Sequence, residues 1–161
     1  MTTTFREFLR EQVEKHQAEG QSAKATVDEW RSAVERLFAQ LREWLREDDP
    51  TGVIEIEEEQ KDVTEPSLGR YRIPRLSLRA FGKWIGIIPK ARKTVATASP
   101  PQKSAPQRAD GRVDITDELR RYVLYRFRDD GRDVWLIDDL KSEAKPLDKD
   151  AFERVLMSYL R

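Results

Sequence analysis

Between Pro66 and Ala109 the chain carries ten cations and no Asp or Glu: Arg70, Arg72, Arg75, Arg79, Lys83, Lys90, Arg92, Lys93, Lys103 and Arg108. Cations without interleaved anions can neutralise the phosphates of a partner, and each such contact releases counterions. Tyr71, Phe81 and Trp84 lie among them, and aromatic rings beside cations can stack on bases. The whole chain has 30 basic and 30 acidic residues, so this segment is about +10 and the remainder about −10.

Part of that charge has an answer nearby. The acidic run Glu55-Ile-Glu-Glu-Glu59 directly precedes Arg70-Tyr-Arg-Ile-Pro-Arg75. As an antiparallel pair the two runs would set opposite charges across from each other, a modest stabilisation. Arg70, Arg72 and Arg75 are thereby accounted for. The bases further on have no acidic neighbour in sequence. The candidate contacts for an anionic partner are therefore Arg79, Lys83, Trp84, Lys90, Arg92, Lys93, Lys103 and Arg108.

Catalytic chemistry finds less support. Asp139-Leu-Lys141 has the acid-x-Lys spacing of metal-dependent nucleases, with Asp114, Asp130 or Asp133 as second carboxylate for Mg²⁺. That element is only three residues long and arises constantly by chance, and a polar strand end explains it far better. Asp129-Asp130-Gly131 reads as turn chemistry. His16 is the sole histidine, and the chain has no cysteine, so no cysteine nucleophile, thiolate metal site or disulfide is available. There is no Gly-x-Ser-x-Gly elbow, phosphate-cradling Gly-rich loop or zinc-ligand spacing. No catalytic, cofactor-binding or metal-ligating residue is assigned, and no cofactor is expected.

The elements that would position these residues follow from periodicity. Thr4-Phe-Arg-Glu7 is a capping box, and Phe5, Phe8, Leu9 and Val13 follow at helical spacing. A first helix over 4–18 would stop at Gly20-Gln-Ser22. Thr26-Val-Asp-Glu29 repeats the capping signature, and Val27, Trp30, Val34, Leu37, Leu41 and Trp44 trace nearly three heptads before Asp48-Asp-Pro-Thr-Gly52. The two segments predict an α-hairpin. Strands are predicted over 53–63, 70–80 and 84–89, with an apolar phase slip at Pro74 that suggests an edge position or a bulge. A Pro- and Ser-rich loop spans 94–111. Val113 and Ile115 alternate, Thr116-Asp-Glu118 could open one helical turn, and strands over 122–128 and 133–138 flank the Asp129-Asp-Gly-Arg132 hairpin signal. Asp148 caps a last helix carrying Phe152, Val155, Leu156, Tyr159 and Leu160.

The expected architecture is α+β: an N-terminal α-hairpin, an antiparallel sheet of about five strands and a C-terminal helix. One domain spans 1–161, with the helical hairpin over 4–48, the sheet and last helix over 52–93 and 112–161, and a flexible loop over 94–111. The expected function is non-enzymatic: an interaction protein that engages a partner, foremost another protein, through the basic segment and loop. Nucleic acid is the alternative partner, and a metal-dependent hydrolase is the third reading. The heptad stripe could serve as a homodimer seam, although its width and its tryptophans favour burial within the fold. No apolar run approaches the ~18 residues of a membrane helix, and the first residues lack the apolar core of a signal peptide, so the cytoplasm is the expected location.

Overall fold

The computed structural model describes residues 2–100 and 105–161. One long helix, α1 (Phe5–Asp48), precedes the strands β1 (Glu55–Glu65), β2 (Gly69–Ala80), β3 (Lys83–Ala91), β4 (Thr97–Ala98), β5 (Gln107–Arg108), β6 (Arg112–Thr116), β7 (Arg121–Asp129), β8 (Arg132–Asp138) and β9 (Lys145–Pro146), and helix α2 (Lys149–Leu160) follows. Seven strands form an antiparallel sheet in the order β1-β2-β3-β6-β7-β8-β9, and β4 pairs with β5 alone. The class is α+β.

The expected α-hairpin is instead a single helix of 44 residues. Its capping box forms as predicted, Thr4 Oγ1 accepting from the Glu7 amide and Glu7 Oε2 from the Thr4 amide. Gly20 fails as a stop because it keeps negative φ, whereas a glycine C-cap needs the left-handed conformation. One Gly in an exposed helix interior costs only about 1 kcal/mol relative to Ala. Thr26 does not open a second helix either. Its hydroxyl donates back to the Ser22 carbonyl at 3.0 Å, the mode a threonine adopts inside a continuing helix.

The heptad stripe is core. Val27, Trp30, Val34, Leu37, Leu41 and Leu45 are buried against the sheet face formed by Tyr71, Ile73, Leu76, Leu78, Ile85, Ile87, Val113, Ile115, Leu124 and Ile137. Phe152, Val155, Leu156 and Tyr159 of α2 complete the cluster. Trp30 is fully buried because Gly111 makes room for it: a Cβ there would lie 2.4 Å from the indole. On the opposite sheet face a smaller cluster joins Val123, Tyr125, Phe127 and Leu136 to Ala109, with Ala96 and Ala98 packed against it. The flanks of the 94–111 segment thus pair as β4–β5 and cover part of that face.

The phase slip at Pro74 has a local explanation. β1 and β2 stay in unbroken register from Glu55↔Arg79 to Glu65↔Gly69, so both strands change face together. β3 pairs with β2 only over Leu76–Ala80. Pro74 therefore lies beyond the β3 ladder, where its missing N–H costs no bond. The register also brings the acidic and basic runs together as expected: Arg75 meets Glu59 at 2.9 Å. Arg70 and Arg72 use Asp62 rather than the glutamates, at 2.9 and 3.7 Å.

Candidate functional site

Tight turns build the site. Phe81 and Gly82 join β2 to β3, both at positive φ (54° and 72°), with Ala80 opposite Lys83. This hairpin carries Arg79 and Trp84 directly across from each other. Trp84 folds along its own strand: a Cβ on Gly86 would sit 2.6 Å from the indole, so only glycine leaves the ring that seat. Ser77, Gly86 and Thr116 lie in one row across β2, β3 and β6.

The β6–β7 turn adds Asp117, Glu118 and Arg120. No helical turn forms here. Thr116 Oγ1 accepts from the Glu118 amide, and Asp117 Oδ1 accepts from the amides of Leu119 and Arg120. Burial alone would raise the Asp117 carboxyl, but those amides outweigh it and hold the carboxyl below its usual value. Tyr159 anchors the end of α2 to this turn, its hydroxyl donating to the carbonyls of Ile115 at 2.9 Å and Arg120 at 3.2 Å. Arg120 stacks over the Tyr159 ring and donates to the Ser158 carbonyl. Lys83 Nζ donates to the Arg161 carbonyl.

These pieces enclose an open groove of about 710 Å³ lined by Glu59, Arg75, Ser77, Arg79, Lys83, Trp84, Asp117, Glu118, Arg120, Tyr159 and Arg161. Its charges are not equally occupied. Arg75 is held by Glu59, and Arg120 lies 3.7 Å from Asp117. Arg79 stands across the β1–β2 ladder from Glu55 but meets no carboxylate within ion-pair distance among the described residues, and Lys83 is held at the Arg161 main-chain oxygen. An anionic group entering the groove therefore meets the Arg79 guanidinium, the Lys83 ammonium held at the Arg161 main-chain oxygen, and a half-buried indole.

Arg79, Lys83 and Trp84 are thus brought together, and the other candidates are not. Lys90 is exposed on the β3 bulge between Pro89 and Ala91. Lys93 is exposed, and its amide, like that of Arg92, donates to the buried carboxylate of Glu65, which also accepts from the Tyr71 hydroxyl. Arg92 is mostly buried, 3.9 Å from Asp110. It lines a separate pocket of about 210 Å³ with Ser22, Thr26, Glu29 and Arg128. Arg108 is exposed on β5, and Lys103 lies outside the described residues.

The carboxylates nominated for a metal stand apart. Asp139 lies past the end of β8, where its side chain accepts from the Lys141 and Ser142 amides, which lower its pKa. Asp114 is buried between Arg112 at 2.7 Å and Arg121 at 3.8 Å. Asp133 is taken by Arg36 and Arg126, both at 2.8 Å. Asp130 sits in the β7–β8 turn at φ 48°. Among the described residues no cluster of metal-ligating side chains forms. His16 is exposed on α1, 3.6 Å from Glu19.

Sequence reasoning missed Arg120, Ser77, Tyr159 and Arg161 as groove residues, and assigned Arg75 to strand pairing alone. Arg120 and Arg161 lie outside the acid-free segment, and no periodicity connects residues 77, 120 and 159. Compared with known proteins, the chain matches no family model, no curated protein and no solved structure. No helix is long and apolar enough to cross a membrane among the described residues.

Proposed function

We propose that this chain is a non-enzymatic interaction protein whose β2–β3 hairpin and adjoining groove dock an acidic segment of another protein. The observation that carries the reading is Arg79, which meets no carboxylate within ion-pair distance among the described residues, set beside Lys83 and displayed aromatic surface on the same hairpin. Phe81 at its tip is 73% exposed and sits at φ 54°, a conformation that costs a bulky residue about 1 kcal/mol. An apolar ring held in a costly conformation at the rim of a cationic groove matches an interface that needs an anchor more than it needs local stability. The groove also contains Glu59, Asp117 and Glu118, a mixed-charge lining that suits a polypeptide bearing both acidic and polar groups better than a uniform phosphate chain.

Titration with a fluorescent oligoglutamate peptide at several salt concentrations tests this, with a single-stranded oligonucleotide in a parallel arm. Peptide binding that weakens with salt and falls about tenfold or more in Arg79→Glu/Lys83→Glu is expected. Tighter binding of the oligonucleotide, with a steeper salt slope, transfers the function to nucleic acid. Binding of neither at low salt removes the proposal.

A further inference from the structure

The first half of α1 stands away from the fold. Residues 5–22 are exposed apart from half-buried Gln12, and the first buried residue of the helix is Val27. At 1.5 Å per residue this arm is about 30 Å long. An isolated helix of that length is marginal in water, yet the arm carries Phe5, Phe8, Leu9 and Val13, all roughly half or more exposed. At 100° per residue those four fall on one face, in line with the stripe that seats α1 on the sheet but separated from it by His16, Glu19 and Gly20. Arg6 and Lys15 border that face on its two edges, Arg10 and Glu11 stand equally far outside them, and Glu7 and Glu14 lie on the back. The arm is an apolar stripe edged with positive charge.

A matching surface lies at the other end of the molecule. Where the last turn of α1 meets α2, a groove of about 270 Å³ has a floor of Leu45, Ile54, Leu156 and Met157. Met157 is 48% exposed. Its rim carries Asp48, Asp49, Asp150 and Glu153. Two cations answer part of that charge: Lys149 holds Asp48 at 3.1 Å, and Arg154 holds Asp150 at 2.7 Å. The rim keeps a net negative charge, and the crowding of Asp48 against Glu153 raises the Glu153 carboxyl above its usual value.

We infer that the arm of one copy docks in the acidic-rimmed groove of a second copy, and reciprocally, giving a two-fold dimer. Phe8 and Leu9 enter the apolar floor while Arg6 and Lys15, at the two edges of the stripe, meet the rim carboxylates. The arm and the groove stand at opposite ends of α1, so two antiparallel copies satisfy both contacts at once, as an isologous interface requires. One surface leaves apolar side chains in water with basic flanks, and the other offers an apolar floor with acidic flanks. A second copy supplies both partners at equal concentration.

Complementary charge reversal tests this by sedimentation. The unaltered chain is expected to sediment as a dimer at micromolar concentration. Arg6→Glu/Lys15→Glu alone and Asp150→Lys/Glu153→Lys alone are each expected to self-associate about tenfold or more weakly. Mixing the two restores the dimer, because each reversed surface then meets its reversed counterpart. That rescue also demonstrates that both variants are folded. Met157→Glu is a second groove variant on an exposed position and is expected to be monomeric. A monomeric unaltered chain, reversed variants that dimerise undiminished, or a mixture that stays monomeric would each overturn the inference.

Discussion

At the residue scale the protein spends most of its arginines internally. Arg126 is 1% exposed and bridges Glu29 on α1 and Asp133 on β8, each at 2.8 Å, with its guanidinium over the Trp30 ring. Removing one partner of such a buried pair leaves an uncompensated charge. Asp133→Asn is expected to cost about 3 kcal/mol at neutral pH by denaturant unfolding, because Glu29 still serves Arg126. Burial alone would raise the Asp133 carboxyl, but hydrogen bonds from Arg36 and Arg126 hold it below its usual value. A group depressed in the folded state stabilises above its unfolded pKa and loses that contribution as pH falls through the folded one. The gap between Asp133→Asn and the unaltered protein is therefore full at pH 7 and closes below about pH 4. A gap that stays constant to low pH would contradict the assignment. Little of this was legible in the sequence. Arg126 alternates with apolar neighbours on a strand and reads as surface; the hairpin signal brings Asp133 near it, but Glu29 lies on α1, whose contact with β7 no local pattern announces.

At the scale of elements, local chemistry was read correctly where the signal was short-range. The Thr4 capping box, the Asp148 cap on Ala151 and the Asp130-Gly131 turn of the β7–β8 hairpin all formed where residue types placed them. The error at Gly20 came from treating a helix breaker as decisive when flanking residues on both sides favour helix. Gly20→Pro is expected to melt the arm, with fast amide hydrogen exchange over residues 5–19, and, at concentrations low enough for the unaltered chain to be monomeric, to leave the global unfolding midpoint within experimental error, because the arm buries nothing in its own fold. A midpoint that drops by several kcal/mol equivalents would mean that the arm packs within its own fold. The β2–β3 turn offers the opposite case. Asn is the favoured residue at the first position of such a turn, so Phe81→Asn is expected to stabilise the fold by about 1 kcal/mol, read as a higher denaturant midpoint at unchanged slope. The same substitution is expected to weaken partner binding, a trade-off that a purely structural role for Phe81 would not produce.

At the scale of the whole molecule, the charge segregation of the sequence survives folding only in part. Arg70, Arg72, Arg75 and Arg92 are drawn to Asp62, Glu59 and Asp110. Lys90 and Arg108 are exposed apart from the groove. What remains concentrated is Arg79, Lys83 and Trp84, joined by Arg120 and Arg161, which only the sheet order β2-β3-β6 and the docking of α2 bring near. The class of fold was legible from the order of helical and alternating segments. The groove was half legible, because one hairpin supplies half of it and long-range packing the rest.

The most direct test of the central claim is a map of backbone amide chemical shifts on adding oligoglutamate peptide at low salt. Shifts are expected to concentrate on residues 77–86, on the 116–120 turn and on the last turn of α2, and to disappear in Arg79→Glu/Lys83→Glu. Shifts centred instead on Lys90, Lys93 and Arg108, or spread evenly over the surface, would contradict that claim.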